Sequence, residues 1–181
     1  MLSSQLTFTQ IKNTDFADWQ KFWSLYEISF PKIERRTLHD MKRALENAAF
    51  HCFAIYENNL FIGIFTYWEN DSFLYLEHLA VSPEIRSGGY GGKILDFVKR
   101  KKKNLILEIE PLNDEQAVRR LTFYERQDFH LTPYKFLQLP YRKQFSRIEL
   151  LILSYPQTIT NEEFFAFQQF MTEKVAEYCE L

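Results

Sequence analysis

The chain has 181 residues, 46% of them hydrophobic, and 22 basic against 24 acidic side chains give a formal net charge of −2. Such an apolar content supports a large core and excludes a disordered chain, while the near-neutral balance gives no overall field for nucleic acid or an anionic membrane. Two cysteines, Cys52 and Cys179, make no disulfide framework, and four scattered histidines offer no metal-ligand spacing. The start "MLSSQLTFTQIKNTDF" lacks signal-peptide make-up, and the longest apolar run, "LFIGIFTYW" at 60–68, is far below the roughly 20 residues of a bilayer span. The expectation is a soluble cytoplasmic protein with no metal, no nucleic-acid partner and no membrane partner.

Residues 6–11 predict a short strand. Phe16, Trp19, Phe22, Trp23 and Tyr26 recur at helical spacing over 15–30, and Pro31 ends that helix. A second helix starts near Thr37, capped by the Thr37/Asp40 pair, with Leu38, Met41, Leu45 and Ala48 on one face. The period then changes. "FHCFAIYE" (50–57) and "LFIGIFTYWE" (60–69), separated by Asn58 and Asn59, predict a hairpin, and "FLYLEHLAV" (73–81) adds a third strand to an antiparallel meander. After a glycine-rich stretch, Ile94, Leu95 and Val98 mark a helix running into Lys99 to Lys103, a solvated end that suits the C-terminal dipole. "LILEIE" (105–110) predicts a buried strand ended by Pro111. Asn113 with Gln116 marks the start of a helix carrying Val118, Leu121 and Tyr124, and strands follow near 129–139 and 148–154.

The last segment opens on a Thr160/Glu163 capping box and carries a stripe of Phe164, Phe167, Met171, Val175 and Tyr178. The whole reads as α/β, a mixed sheet in the order β-α-α-β-β-β-α-β-α-β-β plus a terminal helix. The expected organisation is one domain over 1–156 and a helical extension over 157–181, packed on that domain or used at a homodimer contact.

Four of the five glycines, Gly88, Gly89, Gly91 and Gly92, lie within five positions of "VSPEIRSGGYGGKILDFV" (81–98). A glycine-rich turn from strand to helix gathers backbone N–H groups at a positive helix end, which is a site for an anion and most often for phosphate. A P-loop would need glycine where Ser87 stands and a hydroxyl where Ile94 stands. A dinucleotide fingerprint starting at Gly89 would need its third glycine at Ile94, and the preceding strand belongs to a meander. Arg86-Ser87-Gly88-Gly89-Tyr90-Gly91 instead has the form [RQ]-x-x-G-x-[GA], after "LEHLAVSPE" and before "KILDFV". A purely structural turn would need one glycine, not four.

Here the chain resembles the GNAT superfamily of acetyl-CoA-dependent N-acyltransferases. The order of elements matches from about residue 6 to 154, and the motifs are specific over 76–98 and 120–129. The resemblance implies acetyl-CoA as co-substrate, with its pyrophosphate on Arg86, Ser87, Gly88, Gly89, Tyr90, Gly91 and Gly92. It also implies the pantetheine arm paired along Leu79, Ala80 and Val81 like an added strand, one of whose amides would polarise the thioester carbonyl. Lys93 is a further candidate phosphate contact. The activity implied is transfer of an acetyl group to a primary amine by direct attack in a ternary complex. A non-catalytic acyl-CoA sensor on the same scaffold is the alternative.

An amine with a pKa near 10.4 is mostly protonated at neutral pH and needs a base. Glu77 comes first, on a strand face that simple alternation shares with Leu79 and Val81; Glu110 comes second and His78 third, with Glu108 near Glu110 on the same strand. "RRLTFYERQDF" (119–129) resembles the family's second signature and makes Tyr124 the acid for the departing thiolate. Two positions depart from the pattern. Asp128 replaces the glycine before phenylalanine, although Asp tolerates a left-handed helix end better than most residues, and Ala117 replaces an asparagine. The acceptor side, "FPKIERRTLHD" with "HLTPYKFLQLPY", declares no substrate beyond a small-molecule or peptide amine.

Overall fold

The computed structural model describes residues 5–85 and 88–180. Seven strands, β1 (Thr7–Ile11), β2 (Phe50–Glu57), β3 (Leu60–Glu69), β4 (Phe73–Val81), β5 (Asn104–Ile109), β6 (His130–Gln138) and β7 (Ile148–Tyr155), form one sheet. Their order is β1-β2-β3-β4-β5-β7-β6, and every neighbouring pair is antiparallel except β4 with β5. The helices are α1 (Trp19–Ser29), α2 (Leu38–Leu45), α3 (Tyr90–Lys99), α4 (Glu115–Glu125) and α5 (Asn161–Phe170). The mixed α/β fold and its element order are those expected from the sequence.

Local chemistry accounts for the boundaries. Asn58 and Asn59, at φ 50° and 64°, take the left-handed conformations of a tight hairpin turn, which Asn tolerates better than most side chains. Thr37 caps α2, its hydroxyl accepting from the Asp40 N–H at 3.1 Å. Thr160 and Glu163 form a reciprocal capping box on α5. The start of α4 differs from expectation. Asp114, not Asn113, is the cap, accepting from the Ala117 N–H at 2.8 Å. Asp128 sits at φ 60°, so the left-handed helix end survives the missing glycine.

The sheet separates two cores. Phe22, Tyr26, Met41 and Phe167 from α1, α2 and α5 pack on one face, against Ile64, Tyr75 and Ile152. Ile94, Leu95 and Val98 of α3 pack on the other, against Phe65, Leu74 and Leu107, with Leu121 and Tyr124 of α4 at its edge. The terminal stripe folds onto its own sheet. Phe164, Phe167, Met171 and Val175 are buried as α5 widens into a π turn at Met171–Val175, and the Tyr178 ring packs on Trp68.

One irregularity matters for function. Thr66 pairs with His78 and Tyr67 with Leu76, so Glu77 is an extra residue on β4, a β-bulge. Simple alternation places Glu77 with Leu79 and Val81. The bulge overturns that placement. Glu77 and His78 both point to the α1 side, whereas Leu79 and Val81 pack toward α3 and α4.

Candidate active site

β4 and β5 are hydrogen-bonded partners only over Phe73–Leu76 and Asn104–Leu107. Beyond that the strands part. β5 continues against β7 through Glu108 and Ile109, and β4 continues against β3 to Val81. A cavity of about 460 Å³ lies in the opening, bordered by His78–Val81 of β4, Glu108–Glu110 of β5, Arg120 and Tyr124 of α4, and the Phe30–Glu34 segment. Tyr75, Gln138 and Tyr141 complete its polar wall.

The carboxylates around this cavity differ sharply. Glu77 has a fully enclosed side chain, paired with the equally enclosed Arg36 at 2.7 Å. It also accepts from Trp68 Nε1 at 3.2 Å and from the Tyr141 hydroxyl at 2.8 Å. Burial alone would raise its pKa, but the Arg36 charge and the His78 and Arg36 contacts outweigh that and hold the carboxyl well below the usual carboxylate range. What Glu77 shows to the cavity is backbone. This corrects the expectation of an available base on the Leu79 face.

Glu108 is the opposite case. Its Oε2 accepts from the Tyr75 hydroxyl at 2.7 Å and from Gln138 Nε2 at 2.6 Å, while its enclosed Oε1 has no hydrogen-bond partner among the described residues. Burial, then the charges of Glu77 and Glu34, push its pKa up to about 8 against the pull of the Tyr75 bond. Glu34 is also raised, by burial and by the Glu110 charge, with Arg120 opposing. Glu110 itself is ion-paired with Arg120. His78 is buried, with Nε2 donating to the Glu34 carbonyl oxygen at 2.8 Å and Nδ1 at 3.2 Å from the Thr66 hydroxyl.

Tyr124 lines the same cavity, and its hydroxyl has no hydrogen-bond partner among the described residues. Burial pushes the phenol up to about 12, so it keeps its proton at any ordinary pH. The structure thus brings Tyr124, Glu110, Leu79, Ala80 and Val81 to one opening and adds Glu108 and Glu34. "LILEIE" held a signal for Glu108, a carboxylate two places from Glu110 inside an apolar strand. Nothing local marks Glu34.

At the glycine turn, Arg86 and Ser87 lie outside the described residues. Gly89 caps α3 at φ 67°, with open space where a Cβ would stand, and the first turn holds no acidic residue. Gly91 answers a different need, because a Cβ there would come 2.9 Å from the Phe123 ring of α4. Tyr90 donates to Glu57 at 2.7 Å, and Lys93 lies 3.5 Å from the same carboxylate. A shallow depression between the two helices, bordered by Gly89, Gly92, Phe123 and Arg126, adjoins this turn. Among the described residues, no group of three His, Cys, Asp or Glu is placed to hold a metal ion, and no helix is long and apolar enough to cross a membrane.

Comparison with known proteins fits this geometry. Residues 48–131 match the family described as "Acetyltransferase (GNAT) domain". "Putative acetyltransferase YjbC" of Bacillus subtilis (strain 168) is 35% identical over 109 residues, which are 55% of this chain and 54% of that protein, so the match spans about half of that relative. A solved structure described as "Putative acetyltransferase from GNAT family from Bacteroides thetaiotaomicron" superposes with a TM-score of 0.86 at 29% identity, covering 93% of this chain and 97% of that one. The ribosomal-protein-S18-alanine N-acetyltransferase of Escherichia coli shares the fold at 17% identity, with a TM-score of 0.61 and coverage of 87% and 97%.

Proposed function

From the match of residues 48–131 to the GNAT acetyltransferase domain and the shared fold, we propose that the chain moves an acetyl group from acetyl-CoA to a primary amine of a small molecule or peptide. The observation that carries this reading is the seam between β4 and β5. It opens at a bulge and holds Tyr124, Glu108 and Glu110 in one cavity, beside a helix that begins on a left-handed glycine.

Acetyl-CoA supplies a thioester-activated acetyl group. The residues fit it. The unpaired edge of β4 at Leu79–Val81 suits an arm that carries amides of its own. The glycine-rich entry to α3, Gly88 to Gly92, suits a diphosphate. Lys93 has a weaker claim, since Glu57 is beside it. A backbone N–H of β4 is the donor for a polarised carbonyl oxygen.

Proton removal from the acceptor falls to β5. Glu77 is enclosed and ion-paired, whereas Glu108, near 8, lies closer to the pKa of an amine and stands at the cavity wall. Glu110, tied to Arg120, is the second candidate. Tyr124 holds the proton for the leaving thiolate.

The test is calorimetric binding of CoA, followed by thiol release from acetyl-CoA across polyamines, amino acids, aminoglycosides and peptides. Acetyl-CoA should raise the melting temperature, while NAD and ATP should not. No CoA binding overturns the proposal. CoA binding without thiol release on any amine favours an acyl-CoA-binding sensor.

A further inference from the structure

Arg36 and Glu77 form an ion pair with neither side chain exposed. Phe50, Trp68 and Tyr141 place their rings 5.0–5.4 Å from the guanidinium carbon. The Arg36 backbone N–H donates to the Tyr26 hydroxyl at 2.9 Å. Enclosing two charges costs several kcal/mol per ion, and a well-packed apolar substitute is often no less stable. The best-attested return on such a pair is fixing a register. Glu77 is the residue by which the β3–β4 register shifts.

We propose that the Arg36–Glu77 pair is a positioning device. By drawing the Glu77 side chain to the α1 side it fixes the β4 bulge, and the bulge sets how the backbone of Leu79–Val81 faces the acyl donor. The pair moves no proton. This inference rests on the acetyl-transfer reading of the site. Tyr141 extends the device, since its hydroxyl donates to Glu77 and its backbone is held at both ends. The Tyr141 N–H donates to the Ile33 carbonyl at 3.3 Å, and the Tyr141 carbonyl accepts from the Glu180 N–H at 2.9 Å. The backbone seating of Glu180 therefore reaches the bulge through the Tyr141 side chain, beside the route from Tyr178 through Trp68.

Glu77→Gln keeps the shape and removes the charge, and Tyr141→Phe removes one hydrogen bond with little risk to folding. Amide hydrogen exchange is read in the free full-length protein, CoA affinity by calorimetry, and kcat and KM for acetyl-CoA across pH. In Glu77→Gln, exchange at His78–Val81 should rise about tenfold or more while α3 and β7 keep their protection, because loss of one partner leaves a buried charge. CoA binding should weaken and kcat fall, with the pH-dependent limb kept and its midpoint moved to lower pH, because the Glu77 charge helps to raise the Glu108 pKa. Tyr141→Phe should change the same amides in the same direction by less, and it carries the test alone if Glu77→Gln does not fold. Replacing both partners, Arg36→Met with Glu77→Gln, should recover overall stability without restoring β4 protection. Unchanged exchange at β4 in both single variants overturns the proposal. So does loss of the pH-dependent limb in Glu77→Gln, which would make Glu77 the base. Wild-type protein that binds no CoA overturns the acetyl-transfer reading instead, and the exchange data distinguish that failure from this one.

Discussion

Tyr75 and Glu108, on parallel neighbouring strands, meet with the phenol donating to the carboxylate across 2.7 Å. Burial pushes the Tyr75 phenol well above its usual range, so it stays a donor. Gln138 donates to the same carboxylate oxygen, leaving the other without a partner among the described residues. The donors to this carboxylate thus serve one oxygen, and the second, enclosed and without a partner among the described residues, is left to carry the proton.

The first expectation is a rate that depends on Glu108 ionisation. With its pKa near 8, kcat should rise as pH passes through that value. Glu108→Gln should abolish the rise and lower kcat by about 10²–10⁴. A full set of rates at pH 6 to 10 checks this. Persistence of the same rise in the Gln variant would move the base to another group, with Glu110 next to test.

Stability should carry the opposite signature. A carboxyl raised to about 8 in the fold, against roughly 4.3 when unfolded, binds its proton more tightly in the native state. The native state gains most when that proton is present, below about pH 4. The advantage is lost as pH rises from about 4 to 8, up to several kcal/mol for an enclosed group. Urea unfolding of wild type and Glu108→Gln across that window should show the gap between them shifting in favour of the Gln variant as pH rises. Parallel curves would contradict the raised pKa.

Tyr124→Phe should leave CoA affinity and folding intact and reduce kcat by about ten- to a thousandfold, since only the donated proton is removed. The loss should be greatest for acetyl-CoA and small for an acyl donor whose leaving thiol is more acidic. Equal losses on both donors would reduce Tyr124 to a packing role.

The glycines should separate into two kinds. Gly89→Ala sits in a left-handed conformation with open space around it, so it should cost on the order of 1 kcal/mol and weaken CoA binding. Gly91→Val would drive a side chain into Phe123 and should lower the melting temperature more than it lowers CoA affinity. Thermal melts with and without CoA distinguish the two.

Much of the frame was legible because it rests on local chemistry. The Asn58–Asn59 turn, the Thr37 cap and the Thr160/Glu163 box each signal within four residues of sequence, and the structure keeps all three. The terminal stripe was legible by its spacing. The face of Glu77 was not, because one inserted residue in "FLYLEHLAV" reverses a strand's alternation without changing its composition. The Tyr75–Glu108–Gln138 contact was hidden for another reason. It joins β4, β5 and β6, and β6 is one strand further out than its chain order suggests. Nothing in the mixed-charge segment "FPKIERRTLHD" singles out Arg36, whose enclosure by Phe50, Trp68 and Tyr141 comes from three distant parts of the chain.

The parting of β4 and β5 has a thermodynamic consequence. Along most of the sheet each strand satisfies its neighbours, but past Leu76 the facing edges of β4 and β5 are no longer partners. A guest with amides of its own can act there as a temporary strand, so its arrival extends the sheet rather than decorating its surface. Ligand capture and local folding then become one equilibrium. Protection against amide exchange should grow outward from Leu76 and Leu107 along both strands when acetyl-CoA binds, in the manner of a zipper closing from its fixed end.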